Sequence, residues 1–143
     1  MTRVVDASAI GALLFNESPA TWVRDETFGE SLIAPVLFHF ELGNLCWKKL
    51  RLVPLQAAAL HRNWTSWNAS CPVRAVDIDL SATMDVARQH QLTFYDASYL
   101  WLANDRRADL VSLDARLVRA ARNLGINAPA PRDPDHTTPR SRN

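Results

Sequence analysis

Glycine is scarce: Gly11, Gly29, Gly43 and Gly125 are the only ones in the chain, and they are scattered. No glycine-rich loop can therefore cradle a phosphate, which speaks against a P-loop or dinucleotide-binding protein. Cysteine is nearly absent. Cys46 and Cys71 give neither a metal-binding spacing nor a disulfide framework, so the expectation is buried free thiol in a reducing cytosol. The histidines His39, His61, His90 and His136 are equally scattered and show no zinc spacing. No apolar run is long enough to span a bilayer. Met1-Thr2-Arg3 leads straight into a short apolar stretch, with no secretory signal, and the protein is expected to be soluble and cytoplasmic. An excess of one charge is also missing, since 16 Lys and Arg stand against 15 Asp and Glu. Any contact with a polyanion must then come from a local patch.

What is present fits one globular domain: 143 residues, 48% hydrophobic and 22% charged. Val4-Val5 reads as a short buried strand, followed by a helix from about Ser8. A second helix is predicted over Thr21–Phe28, with Gly29 as its C-terminal cap. Leu32-Ile33-Ala34 is a strand, and Pro35 suits the first turn of a third helix running to about Leu50. A fourth helix restarts at Pro54 and ends near Trp67, forming a hairpin with the third. Val73–Ile78 is β-rich. Leu80–His90 is helical, with Asp79 or Ser81 as cap, and another helix begins near Asp96. Leu110-Val111-Ser112 is a strand, Asp114–Leu124 a helix closed by Gly125, and Ile126–Ala128 a last short strand. Short apolar strands alternating with amphipathic helices predict a three-layer α/β fold, a central parallel sheet with helices on both faces. The domain is expected to cover residues 1–128. Residues 129–143, rich in Pro, Arg, Asp, Thr and Ser, are predicted to be a disordered tail.

Ligands of such folds bind beyond the carboxyl ends of the strands. Asp6 follows strand one, Asp114 lies just beyond Leu110-Val111-Ser112, Asp96 opens a helix, and Glu41 sits among Leu37, Phe38 and Leu45. If strands one and four are neighbours, Asp6 and Asp114 converge and Asp96 joins them. Each Asp has a plainer reading. Asp6 and Asp114 can cap helices, and Thr93-Phe94-Tyr95-Asp96 resembles a capping box, so capping and ligation both stay open. Glu41 needs a partner or a cation in its apolar setting, unless it snorkels to the surface. Asn44 and Lys48 extend its stripe as a polar seam or a solvated flank. Two carboxylates about 4 Å apart repel by roughly 4 kcal/mol at an effective dielectric of about 20, so a converged quartet calls for a cation. Hard oxygen ligands select Mg²⁺ or Mn²⁺, which suits phosphodiester hydrolysis without a serine nucleophile or a histidine base.

Taken in order, Val-Val-Asp6-Ala-Ser8, Glu41-Leu-Gly-Asn44, Tyr95-Asp96-Ala-Ser-Tyr-Leu and Leu-Val-Ser112-Leu-Asp114-Ala-Arg-Leu resemble the PIN-domain nucleases, specifically the VapC-like toxins, from Met1 to about Ala128. The resemblance implies a PIN fold, a Mg²⁺ or Mn²⁺ site and endoribonuclease activity. By position, Asp6, Glu41, Asp96 and Asp114 would be the acidic quartet. Ser8, Asn44 and Ser112 would be the hydrogen-bonding residues around it. It also implies a homodimer and a cognate antitoxin protein that blocks the site.

Arg106, Arg107, Arg116, Arg119 and Arg122 make the late part of the chain basic. Arg116, Arg119 and Arg122, three apart on one helix, are candidates for RNA phosphate contacts, with a solvated helix face as the alternative. Trp22, Trp47, Trp64, Trp67 and Trp101 read as core or partner anchors. The hairpin carrying Trp47, Trp64 and Trp67 is the candidate antitoxin groove. Two other functions fit the same fold: a non-catalytic PIN-fold binding or assembly module, which a complete quartet disfavours, and a metal hydrolase acting on DNA, which the small size disfavours.

Overall fold

A computed structural model of the chain describes residues 1–132, so most of the predicted disordered tail lies outside the described residues. The elements follow in the order β1 (Thr2–Val5), α1 (Ala7–Leu14), α2 (Ala20–Thr27), β2 (Ser31–Pro35), α3 (Leu37–Leu52), α4 (Ala57–Ala69), β3 (Val73–Val76), α5 (Leu80–His90), α6 (Phe94–Arg106), β4 (Asp109–Val111) and α7 (Ala115–Asn123), with a 3-10 turn at Pro54–Gln56. The strands form one sheet in the order β3-β2-β1-β4, and every pairing is parallel. Strands covered on both faces should be continuously apolar, and Val4, Val5, Ile33, Ala34, Leu110 and Val111 are all fully buried. On one side α1 packs with α2, α3 and α4. On the other, α6 lies along β1, β2 and β4 and packs with α5 and α7. This is the expected three-layer α/β architecture. Phe38, Leu42, Ile10 and Ile33 lie in its core with Tyr99, Leu100 and Leu102 of α6.

Strands one and four are neighbours, with Val5 opposite Val111. Gly29 (φ +74) and Gly125 (φ +75) follow α2 and α7 in the left-handed conformation, as the sequence suggested. Burial pushes the Cys46 thiol up to about 11, in keeping with a buried free thiol. No helix among the described residues is long and apolar enough to cross a membrane.

Three expectations change. Pro35 ends β2 instead of opening α3, which starts at Leu37. The β1 ladder has already stopped at Ile33, so a residue without an N–H is tolerated at this strand end. β3 stops at Val76, two residues early. Ile126–Ala128 is not a strand: it meets β4 through one backbone bond, Leu110 N–H to the Asn127 carbonyl at 2.9 Å. Trp64 and Trp67 pack partly buried against the core, one of the two readings left open for them, and Trp47 is exposed on the hairpin. A Cβ on Gly43 would stand 3.4 Å from the Trp64 ring, so the glycine admits the close approach of α4 to α3.

Candidate active site

The two edges of the sheet treat their acids differently. At the amino edge carboxylates are paired: Arg3 of β1 reaches Glu26 at 3.0 Å and Asp109 at 3.4 Å, and the Met1 ammonium reaches Glu30 at 2.7 Å. At the carboxyl edge stand Asp6, Glu41, Asp96 and Asp114. Among the described residues none of the four forms an ion pair.

Asp6 leaves β1 and is 5% exposed. The Ser8 hydroxyl donates to its Oδ1 at 2.7 Å and the Ser112 hydroxyl to its Oδ2 at 2.6 Å. Both serines are themselves oriented by the β4–α7 turn: Leu113 N–H donates to Ser8 Oγ and Asp114 N–H to Ser112 Oγ, each at 3.0 Å. A two-serine clamp thus fixes Asp6 and ties it to the backbone of Asp114. Helix capping is real as well. Asp6 Oδ1 accepts from Ala9 N–H at 3.1 Å, and Asp114 Oδ1 accepts from Arg116 and Leu117 N–H at 2.9 and 3.3 Å. At α6 the cap is Thr93, whose hydroxyl oxygen accepts from Asp96 N–H at 3.1 Å, so Asp96 sits in the first turn and is not the cap.

Glu41, on α3, is half-buried, and the Tyr99 phenol donates to its Oε1 at 2.8 Å. Tyr99 was not singled out from the sequence. Its signal was the spacing of three from Asp96, which puts both on one face of α6. Burial raises the Asp6 carboxyl above its ordinary range, and the charge of Asp114 adds to the rise. Glu41 is raised first by burial, then by the charges of Asp6 and Asp96; Asp96 is raised by burial and by Asp114, with Arg116 opposing. The four acids are therefore within electrostatic reach of one another. No three His, Cys, Asp or Glu side chains among the described residues stand close enough to enclose one ion.

The remaining candidates separate. Asn44 and Lys48 are exposed, as a solvated flank would be. Arg116 acts on Asp96 through its charge. Arg119 lines a cleft of about 490 Å³ beside Ser112. Arg122 also borders that cleft, but its Nε donates to the Ala128 carbonyl at 3.0 Å and so ties down the segment after α7.

Fold and site together define a small three-layer α/β protein with an acidic group at the carboxyl edge of a parallel sheet that has no ion pair among the described residues. The chain belongs to the PIN domain family, whose pattern matches residues 3–123, and within that family it is VapC-like. It is 35% identical over 115 residues to Exonuclease VapC9 of Pyrobaculum aerophilum, a match spanning 80% of this chain and 82% of that protein. It is also similar to the crystal structure of PAE2754 from Pyrobaculum aerophilum, with a TM-score of 0.69 and 29% identity, covering 90% of this chain and 83% of the other.

Proposed function

We propose that residues 1–128 form a Mg²⁺- or Mn²⁺-dependent endoribonuclease, the toxin of a toxin–antitoxin pair. It would act in the cytoplasm as a homodimer and be restrained by a cognate antitoxin protein. The observation that carries the catalytic reading is the contrast between the sheet edges: among the described residues, acids are paired with cations at one and lack any ion pair at the other. Asp6, Glu41 and Asp96 are each held toward the neutral form by burial and a neighbouring acid. A divalent cation would relieve that cost. The donor set is all hard oxygen, which fits Mg²⁺ or Mn²⁺. The lack of a three-acid cage is no obstacle, because Mg²⁺ keeps several waters and commonly takes one or two carboxylates plus a substrate phosphate.

Asp6, Glu41, Asp96 and Asp114 would hold the ion between them, one or two directly and the others through its waters. When bound, it would supply positive charge to the phosphate and acidify a water. The chain's own part is orientation. Ser8 and Ser112 fix Asp6, and the Tyr99 phenol fixes Glu41. Asp114 spends Oδ1 on its helix, while Oδ2 accepts no bond among the described residues. Arg116 and Arg119 would draw the backbone phosphates toward this edge. One cleft is lined by Tyr95, the neighbour of Asp96, and another by Ser112, which bonds Asp6; the pair favours a strand running through the site over one stopping in it.

The test is cleavage of linear and circularised single-stranded RNA by purified protein, with Mg²⁺ or Mn²⁺ and with EDTA. Both RNAs should be cut, and only with metal. Undiminished cleavage in excess EDTA would falsify the metal mechanism. Cleavage of linear RNA alone would make the protein an exonuclease, and cleavage of neither would favour the non-catalytic module.

A further inference from the structure

We propose that the apolar cleft beside Asp96 is a base-binding subsite, which stacks one unpaired nucleobase of an RNA strand whose phosphate lies at the acids; the inference rests on the nuclease reading. The cleft, of about 380 Å³, opens at the carboxyl ends of β2 and β3 between Pro35, Val36, Val76, Leu80, Phe94 and Tyr95. Three large apolar side chains remain in water around it: Tyr95 at 63% exposure, Leu80 at 65% and Val36 at 47%. Apolar side chains gathered in water around one cleft mark a binding surface, whereas isolated ones do not.

Its position says what it binds. Tyr95 immediately precedes Asp96, and Pro35 ends the strand next to the one that carries Asp6. Along the carboxyl edge, in the strand order β3-β2-β1-β4, come the apolar cleft, then the acids, then Ser112 and Leu113, where a second cleft begins and runs along α7 past Arg119. A single RNA strand carries flat apolar bases on a chain of anionic phosphates and matches this order. The phosphates do not belong in the first cleft, since among the described residues no Lys or Arg lines it and its one charged residue is Asp77. A base does belong there. Its faces stack on aromatic and aliphatic side chains, and a carboxylate such as Asp77 can accept an N–H from its edge.

The test is fluorescence anisotropy of a short single-stranded RNA with the full chain in EDTA, where the RNA should stay intact. Cleavage assays in Mg²⁺ run alongside. Tyr95→Ala should weaken RNA binding by roughly tenfold, with Tyr95→Phe close to wild type. Moving a single abasic site along the RNA should find one position that costs the wild type a similar factor and costs Tyr95→Ala nothing more. Leu80→Glu, on a different helix, should weaken binding too. Both positions are exposed, and unchanged melting temperatures would establish that the variants fold. If the wild type cleaves and binds RNA while both variants bind equally well, the subsite is overturned and the nuclease reading stands; a cleft reserved for an apolar peptide would give that result. If the wild type neither binds nor cleaves RNA, the nuclease reading falls and the subsite with it.

Discussion

At the scale of single residues, helix capping does not use up the carboxylates that are also candidate metal ligands. Asp114 gives Oδ1 to two helix N–H groups, and Asp6 accepts from Ala9 N–H while two serine hydroxyls hold its carboxylate. Substitution by Asn separates the two roles, because Asn caps about as well as Asp, to within a few tenths of a kcal/mol, but carries no charge. At position 6 the amide can still be satisfied, since a serine oxygen has two lone pairs and its hydroxyl can turn away. Asp6→Asn, Asp96→Asn and Asp114→Asn are therefore expected to fold. Without metal they should melt at or above the wild-type temperature, because like-charge repulsion is relieved. They should lose most RNA cleavage and most of the melting-temperature rise produced by Mg²⁺ or Mn²⁺, which follows ligand linkage. Glu41→Gln should follow them, with the Tyr99 phenol now donating to an amide oxygen. Variants that keep both cleavage and the metal-induced rise would reduce these acids to structural residues.

At the scale of the element, α7 presents Arg116, Arg119 and Arg122 at a spacing that suggests one shared role, and the structure divides them. Arg122→Ala should cost about 0.5–1.5 kcal/mol of stability through loss of the bond to the Ala128 carbonyl. Arg119→Ala should stay within about 0.5 kcal/mol of wild type. It should instead lower the salt dependence of single-stranded RNA binding by about 0.7 in the log–log slope, the share of one phosphate contact. Chemical denaturation and affinity measured across a salt series check the two, and the reverse assignment would put Arg122 in the groove. The same division shows what the sequence could reveal. The strands Val4-Val5, Leu32-Ile33-Ala34 and Leu110-Val111 were legible because a sheet covered on both faces demands unbroken apolar residues. Helix ends at Gly29 and Gly125 were legible because a left-handed residue favours glycine. Ile126–Ala128 has the apolar pattern of a strand but only one bond to β4, and pairing partners are not written in a local pattern. Trp64 and Trp67 could have faced a partner or the core, and the residue against which Trp64 packs, Gly43, lies on another helix. The four acids were legible as a spaced set. Tyr99, buried at 2% exposure, looked like any core aromatic, because its bond to Glu41 spans 58 residues.

At the scale of the molecule, an acidic edge without ion pairs among the described residues should reverse the usual response to pH. Asp6 and Asp96 are raised above an ordinary 3.8, and Glu41 above an ordinary 4.5, chiefly by burial. Between the ordinary value and the raised one, the folded protein holds more protons than the unfolded chain. The contribution of these groups to metal-free stability therefore falls as pH rises through that interval. The penalty is absent below the ordinary value and complete above the raised one, opposite to a carboxylate in an ion pair. A divalent ion needs the deprotonated forms, so its stabilisation grows as pH rises through the same interval. The measurement is melting temperature from mildly acidic to neutral pH, in EDTA and in Mg²⁺, for wild type and for the double variant Asp6→Asn/Glu41→Gln. Subtracting the variant cancels the acids outside this edge, and the coupling of Glu41 to Asp96 stays in the difference. In EDTA the wild type should lose ground to the variant as pH rises. In Mg²⁺ it should regain that ground over the same interval. Parallel profiles in both conditions would mean that these carboxyls titrate normally, and that the unpaired acids of the carboxyl edge neither burden the fold nor attract a cation.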